Sequence, residues 1–168
     1  MKPMPTYRNS IRSIPQITKL ARQLRRQGKR IVTTNGCFDI LHVGHVRNLE
    51  QAKALGDVLI VGVNSDKSVR SFKGHMRPII PARERAEIVA ALACVDHVLI
   101  FRERSPNRWL AAVRPHVHVK GGDRPMSEIL ERDVIRAGGG KIVFLPIIPG
   151  RSTTNIIGRI ARTLKKRP

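Results

Sequence analysis

Apolar residues fall along this chain in short β-branched runs separated by stretches of helical spacing. The runs at 31–34, 57–64, 97–101, 116–120 and 141–145 are rich in Val, Ile and Leu and bounded by turn-forming residues, which predicts five strands. Between them, three-and-four spacing predicts helices over 44–55, 82–93, 106–113, 127–137 and 153–165, with only a short helical turn in the loop 65–80. Pro81 is expected in the first turn of its helix, where its missing N–H is harmless. Gly138-Gly139-Gly140 ends the helix before the last strand. Ahead of the first strand, Ile14, Ile17, Ala21 and Leu24 form the apolar stripe of a docked helix. Alternation of strand and helix predicts an α/β fold: a Rossmann-like, five-stranded parallel sheet with helices on both faces and ligands at the carboxyl ends of the strands.

Composition narrows the class. The 168 residues suffice for one core, and 41% hydrophobic content is too high for wholesale disorder. The longest apolar stretches, 58–63 and 142–149, fall far short of the roughly 20 residues that cross a bilayer. Cys37 and Cys94 belong to no Cys-x-x-Cys pair, so reduced thiols in a cytoplasmic protein are expected. The net charge is +20, but it is unevenly placed. Residues 1–30 hold nine basic and no acidic side chains, and 151–168 hold six basic and none. We therefore divide the chain into a basic extension or helix over 1–28 and a near-balanced domain over 29–168. An Arg-rich start without acids is also the composition of a transit peptide.

The strongest chemical signal is Thr34-Asn35-Gly36-Cys37-Phe38-Asp39-Ile40-Leu41-His42-Val43-Gly44-His45. A strand runs into a glycine-containing turn and a helix start, where unpaired backbone N–H groups and the helix dipole favour an anion. His42 and His45 are three apart, so both can face one phosphate, and Gly44 lets that phosphate approach the backbone. Neither Gly-x-Gly-x-x-Gly nor Gly-Lys-Ser/Thr occurs, so a dinucleotide fold and a P-loop lack support.

These residues resemble the HxGH nucleotidyltransferases, the superfamily of cytidylyltransferases, pantetheine-phosphate adenylyltransferase and class I aminoacyl-tRNA synthetases. Further blocks follow in order: Gly56-Asp57 through Asn64-Ser65-Asp66, Lys73-Gly74, Arg77-Pro78, Arg85-Ala86, Val119-Lys120-Gly121-Gly122-Asp123, and Gly150 with Ser152-Thr153-Thr154-Asn155. Together they are similar to the heptose branch, the adenylyltransferases that make ADP-heptose from D-glycero-β-D-manno-heptose 1-phosphate. Ile147, where the glycerol-3-phosphate cytidylyltransferase branch has arginine, and Lys120, which that branch lacks, both favour the heptose branch. Arg124, where heptose enzymes usually have tyrosine, and Arg102-Glu103-Arg104, in place of an acidic stretch, depart from it.

The resemblance implies a transfer of AMP from ATP to a sugar 1-phosphate. The attacking phosphate oxygen is already anionic, so catalysis is positioning and charge neutralisation. On this reading Cys37, Phe38, His42, Gly44 and His45 form the nucleotide-binding turn, with the two histidines and Lys73 catalytic. Ser152, Thr153 and Thr154 hydrogen-bond the β- and γ-phosphates, and Asp123 contacts the nucleotide. Asn64 and Lys120 are candidates for the sugar phosphate, and Arg151 adds positive charge. Mg2+ is expected with ATP, the nucleotide supplying most ligands. The fold family implies a homodimer or higher homo-oligomer.

Blander uses are also open. Ser152-Thr153-Thr154 can cap a helix, Lys73 and Arg77 can be solvated, and Asp39 can shape its turn. His116 and His118 share one side of a strand without an evident third metal ligand, which favours structural roles, and Trp109 reads as packing. Rival functions are a cytidylyltransferase for glycerol 3-phosphate or another small phosphate, and a nucleic-acid-binding module using the basic ends. Six aromatic residues in all argue against the latter.

Overall fold

The computed structural model describes residues 7–122 and 125–165. Strands β1 (Ile31–Gly36), β2 (Val58–Asn64), β3 (His97–Phe101), β4 (Val117–Gly121) and β5 (Lys141–Leu145) form one parallel sheet in the order β3-β2-β1-β4-β5. The helices are α1 (Ile14–Arg26), α2 (Val43–Lys53), α3 (Asp66–Lys73), α4 (Ala82–Ala90), α5 (Asn107–Val113), α6 (Arg132–Ala137) and α7 (Thr153–Lys165).

Two apolar layers hold the sheet. On one face Leu49 and Ala52 of α2 and Ala86 and Val89 of α4 pack over Val32, Leu59, Val61, Val63, Val117 and Val119. On the other, Ile17 and Ala21 of α1, Trp109 and Leu110 of α5 and Ile135 of α6 cover Ile31, Ile60, Leu99 and Phe101. Gly62 makes the second layer possible, because a Cβ there would lie 2.7 Å from the Trp109 ring. The helix expected from the stripe in the basic segment is α1, started by a capping box between Ser13 and Gln16.

Three local expectations are corrected. The loop 65–80 contains a full helix, α3, because the Ser65 hydroxyl accepts the Ser68 N–H at 3.2 Å and Val69 is buried beneath it. Pro81 precedes α4 instead of lying in its first turn, with ψ of 148°. The helix expected over 127–137 breaks: a 3-10 turn at Met126–Glu128 is followed by extended, buried Ile129, and α6 begins only at Arg132. There the buried Glu131 carboxylate accepts from Lys120 at 2.8 Å.

Candidate active site

Beside β1 the strand order reverses, with β2 on one side and β4 on the other, the place where open parallel sheets bind ligands. A cleft of about 470 Å3 opens there, at the carboxyl ends of β1, β4 and β5. It brings together Cys37, Phe38, His42, Gly44, His45, Lys73, Ser152, Thr153 and Thr154, all expected from the sequence. Asp123 lies outside the described residues.

The β1–α2 loop forms one wall. Phe38 and Ile40 hold φ of 50° and 49°, conformations that bulky side chains rarely adopt. Between them Asp39 points inward and is buried. Its carboxylate accepts the Ile79 and Ile80 backbone N–H groups at 3.0 Å and the Arg77 Nε–H at 2.6 Å. Burial raises the Asp39 pKa, but the Ile80 and Ile79 N–H groups and Arg77 outweigh it, and the carboxyl sits below its usual range. Arg85, also fully buried, donates to the carbonyls of Cys37, Ile80 and Asn64 and to the Asp66 carboxylate. These two residues pin the loop to β2, α3 and the 77–80 segment. Asp39 is thus a positioning group, as its turn-forming reading anticipated, whereas the part played by Arg85 was not read from the sequence.

His42 is the N-cap of α2, and its Nδ1 accepts the Gly44 N–H at 3.1 Å. That fixes the ring hydrogen on Nε2, leaving a donor available to a ligand. The His42 and His45 rings stack with centroids 3.9 Å apart, and Phe38 meets His45 edge-on. Burial lowers the His42 pKa; burial, then His42, push His45 down to about 4. Without ligand both imidazoles are neutral near pH 7 and act as hydrogen-bond donors, not fixed cations. A Cβ on Gly44 would lie 2.9 Å from the His42 ring, so this glycine makes room for the histidine as well as for any anion. Burial dominates the Cys37 thiol and raises its pKa, so it is protonated and contributes its carbonyl to Arg85.

Facing α2 across the cleft is the start of α7. Ser152 caps it, accepting the Asn155 N–H at 3.1 Å, and Thr153 donates its hydroxyl to the Asp39 carbonyl. Of the three hydroxyl residues, Ser152 and Thr153 are therefore partly committed to structure, and Thr154 lines the cleft beside them. Lys73 and Arg151 line the cleft and take part in no ion pair among the described residues. Asn35 and Asn48 also line it, each with a buried Oδ1 that lacks a hydrogen-bond partner. Asn48 lies one turn beyond His45 on α2, a spacing visible in the sequence.

Asn64 and Lys120 are not brought to this cleft. On β2 and β4 the odd-numbered residues face α2 and α4, so these even-numbered ones face the other layer. The Asn64 amide donates to Ser68 at 3.0 Å, and Lys120 pairs with Glu131. His116 accepts the Ile31 N–H, and buried His118 lies 2.9 Å from the Thr33 hydroxyl, so each has a hydrogen-bonding partner within the protein.

A parallel sheet with two helix N-termini meeting at its switch point, over a cleft that carries Lys73 and Arg151, is the frame of a nucleotide-binding α/β domain. Residues 33–158 match the cytidylyltransferase-like family model, and the chain belongs to this family. It is 47% identical over 152 residues to the bifunctional protein HldE of Geobacter metallireducens, covering 90% of this chain and 31% of that protein. It is 50% identical over 134 residues to the bifunctional protein HldE of Pelobacter propionicus, covering 80% of this chain and 28% of that one. The chain thus spans less than a third of the length of these curated relatives. Among solved structures, a lipopolysaccharide core biosynthesis protein of Thermoplasma volcanium matches with a TM-score of 0.61 and 30% identity, over 72% of this chain and 98% of its own. A pantoate-beta-alanine ligase of Francisella tularensis shares the fold, with a TM-score of 0.56 at 15% identity over 94% of this chain and 79% of its own. No described helix is long and apolar enough to cross a membrane.

Proposed function

We propose that this chain transfers AMP from ATP to D-glycero-β-D-manno-heptose 1-phosphate, giving ADP-heptose and pyrophosphate for lipopolysaccharide core synthesis. The observation that carries the transfer reaction is the opposition of the His42–His45 pair at the start of α2 to Ser152–Thr154 at the start of α7. The heptose assignment is supported by the order of the sequence blocks, by the HldE relatives and by the lipopolysaccharide core protein of similar fold.

In this reading the sugar phosphate oxygen attacks the α-phosphorus of ATP, and the bond to the bridging oxygen of pyrophosphate breaks. No side chain need become a nucleophile. The Nε2–H of His42 and the His45 ring donate to phosphate oxygens as charge builds on the leaving group, which is the moment such donors matter most. Lys73 and Arg151 neutralise the triphosphate, and the helix dipoles of α2 and α7 add to their field. Thr154, the Ser152 O–H and Asp123 complete the nucleotide contacts. Asn35 and Asn48 offer unpartnered carbonyl oxygens to substrate hydroxyl or amino groups. Mg2+ would arrive with the triphosphate as part of the substrate and would offset its charge; among the described residues no group of three His, Cys, Asp or Glu side chains is placed to hold a metal. The reaction belongs in the cytoplasm. The exposed apolar residues Ile160 and Leu164 of α7 support a homo-oligomer.

The test is pyrophosphate release with ATP or CTP, each against heptose 1-phosphate and glycerol 3-phosphate. Release is expected with ATP and heptose 1-phosphate, and turnover confined to CTP with glycerol 3-phosphate contradicts the proposal.

A further inference from the structure

At the amino-terminal edge of the sheet, the turns that lead into β1 and β5 flank an open hollow of about 420 Å3. It is lined by Gly28, Arg30, His116, Gly139, Gly140 and Lys141. The five residues of β4 separate this edge from the cleft by about 15 Å, so the two hollows are distinct. Gly28 and Gly139 have nothing within 4 Å of where a Cβ would stand, which keeps the space open.

The polar side chains that line it are donors. His116 Nδ1 accepts the Ile31 N–H at 2.9 Å, so its hydrogen is on Nε2. Arg30 and Lys141 add two cations, and neither is in an ion pair among the described residues. The nearby Asp57 carboxylate accepts the Arg30 backbone N–H at 2.6 Å and forms no ion pair among the described residues. Next to the hollow, Arg25 on the last turn of α1 keeps its Nε and Nη2 enclosed with no acceptor. Burial and then Arg114 disfavour its protonated form, while burial and then Arg25 and Arg30 disfavour protonation of His116. Cations near helix ends ordinarily find carbonyls or carboxylates; here the side chains that line the hollow bring positive charge together with no carboxylate among them.

We propose that this hollow is a second anion site that takes a small phosphate anion on Arg30, Lys141 and the His116 Nε2–H, within the positive field of Arg25 and Arg114. A phosphate dianion brings both the negative charge and the acceptor atoms that the site lacks.

The experiment uses the full chain carrying His42→Ala and His45→Ala, which removes the cleft's ring donors. It is titrated with inorganic phosphate at constant ionic strength, followed by calorimetry and by the NMR shifts of the His116 ring. Saturable binding with a shift at His116 is expected. Adding Arg30→Gln and Lys141→Gln is expected to weaken it roughly tenfold or more, and both residues are exposed, so the fold is retained. Absence of saturable binding, an unmoved His116, or unchanged affinity after the two Gln substitutions overturns the proposal. Tight binding of a single-stranded oligonucleotide, lost with the same substitutions while phosphate alone does not bind, also overturns it.

Discussion

The two walls of the cleft are built in opposite ways. The α2 wall rests on buried charge: Asp39 and Arg85 are enclosed and hold the loop at Phe38 and Ile40 in strained backbone. The α7 wall is laid on the surface, for no residue of α7 is buried, and its tie to the other wall is the hydroxyl of Thr153 on the Asp39 carbonyl. One wall is locked by buried partners and the other is held by fewer contacts, which suits the proposed transfer, in which a phosphorus must be fixed for attack and pyrophosphate then released.

The largest effect expected is on the fixed wall. His42→Ala and His45→Ala should each lower turnover by roughly 100-fold to 1000-fold, as removal of a transition-state donor does elsewhere. Melting temperatures should fall by only a few degrees, the lost His42 cap costing about 1 kcal/mol. Loss of turnover traced to unfolding in both variants breaks the assignment of the rings to chemistry. Next, Asp39→Ala should destabilise the chain by about 3 kcal/mol, because it strips the partner from Arg77 and from two backbone N–H groups. Denaturant titration reads that directly, and a loss below about 1 kcal/mol removes the claim that this wall is locked.

A pH experiment sharpens the same contrast. Unfolded histidine takes its proton near 6.5, whereas folded His45 does so only near 4 and folded His118 near 3. Between those values the unfolded chain binds more protons, so stability is fully present above about 6.5 and falls as pH drops toward 4 and then 3. Denaturation midpoints of the ligand-free chain at pH 7 and pH 5 should show the drop, and His118→Gln should reduce it. A midpoint that rises on acidification contradicts the neutral, buried state of these rings. The smallest effect belongs to the α7 wall. Thr153→Val removes one hydrogen bond, worth about 1 kcal/mol, and should raise the KM for ATP a few-fold with kcat nearly kept. A collapse of kcat there would show that α7 is as rigid a part of the site as α2.

The difference between the walls also explains what could be read from the sequence. The run at 57–64 matches β2 because a strand buried on both faces carries a continuous apolar signal, and the edge strands β3 and β5 still match the runs at 97–101 and 141–145 through their β-branched and aromatic residues. The placement of His42, His45 and Ser152–Thr154 at one cleft was legible because helix starts carry local chemistry. Arg85 was not, since its partners lie up to 48 positions away and a buried arginine looks like a solvated one in sequence. Asn64 and Lys120 stand at strand ends as expected, but the two-residue period of the strand turns them to the layer away from α2. The break at Ile129 escaped because helical spacing continues across it while burial of Ile129 and Glu131 demands an extended turn.

The most direct test of the central claim is a crystal structure of the chain with ATP bound. The triphosphate should lie between the His42 and His45 rings and the first turn of α7, within hydrogen-bonding distance of His42 Nε2 and Thr154. A triphosphate seated elsewhere, with both rings free of phosphate contacts, contradicts the account.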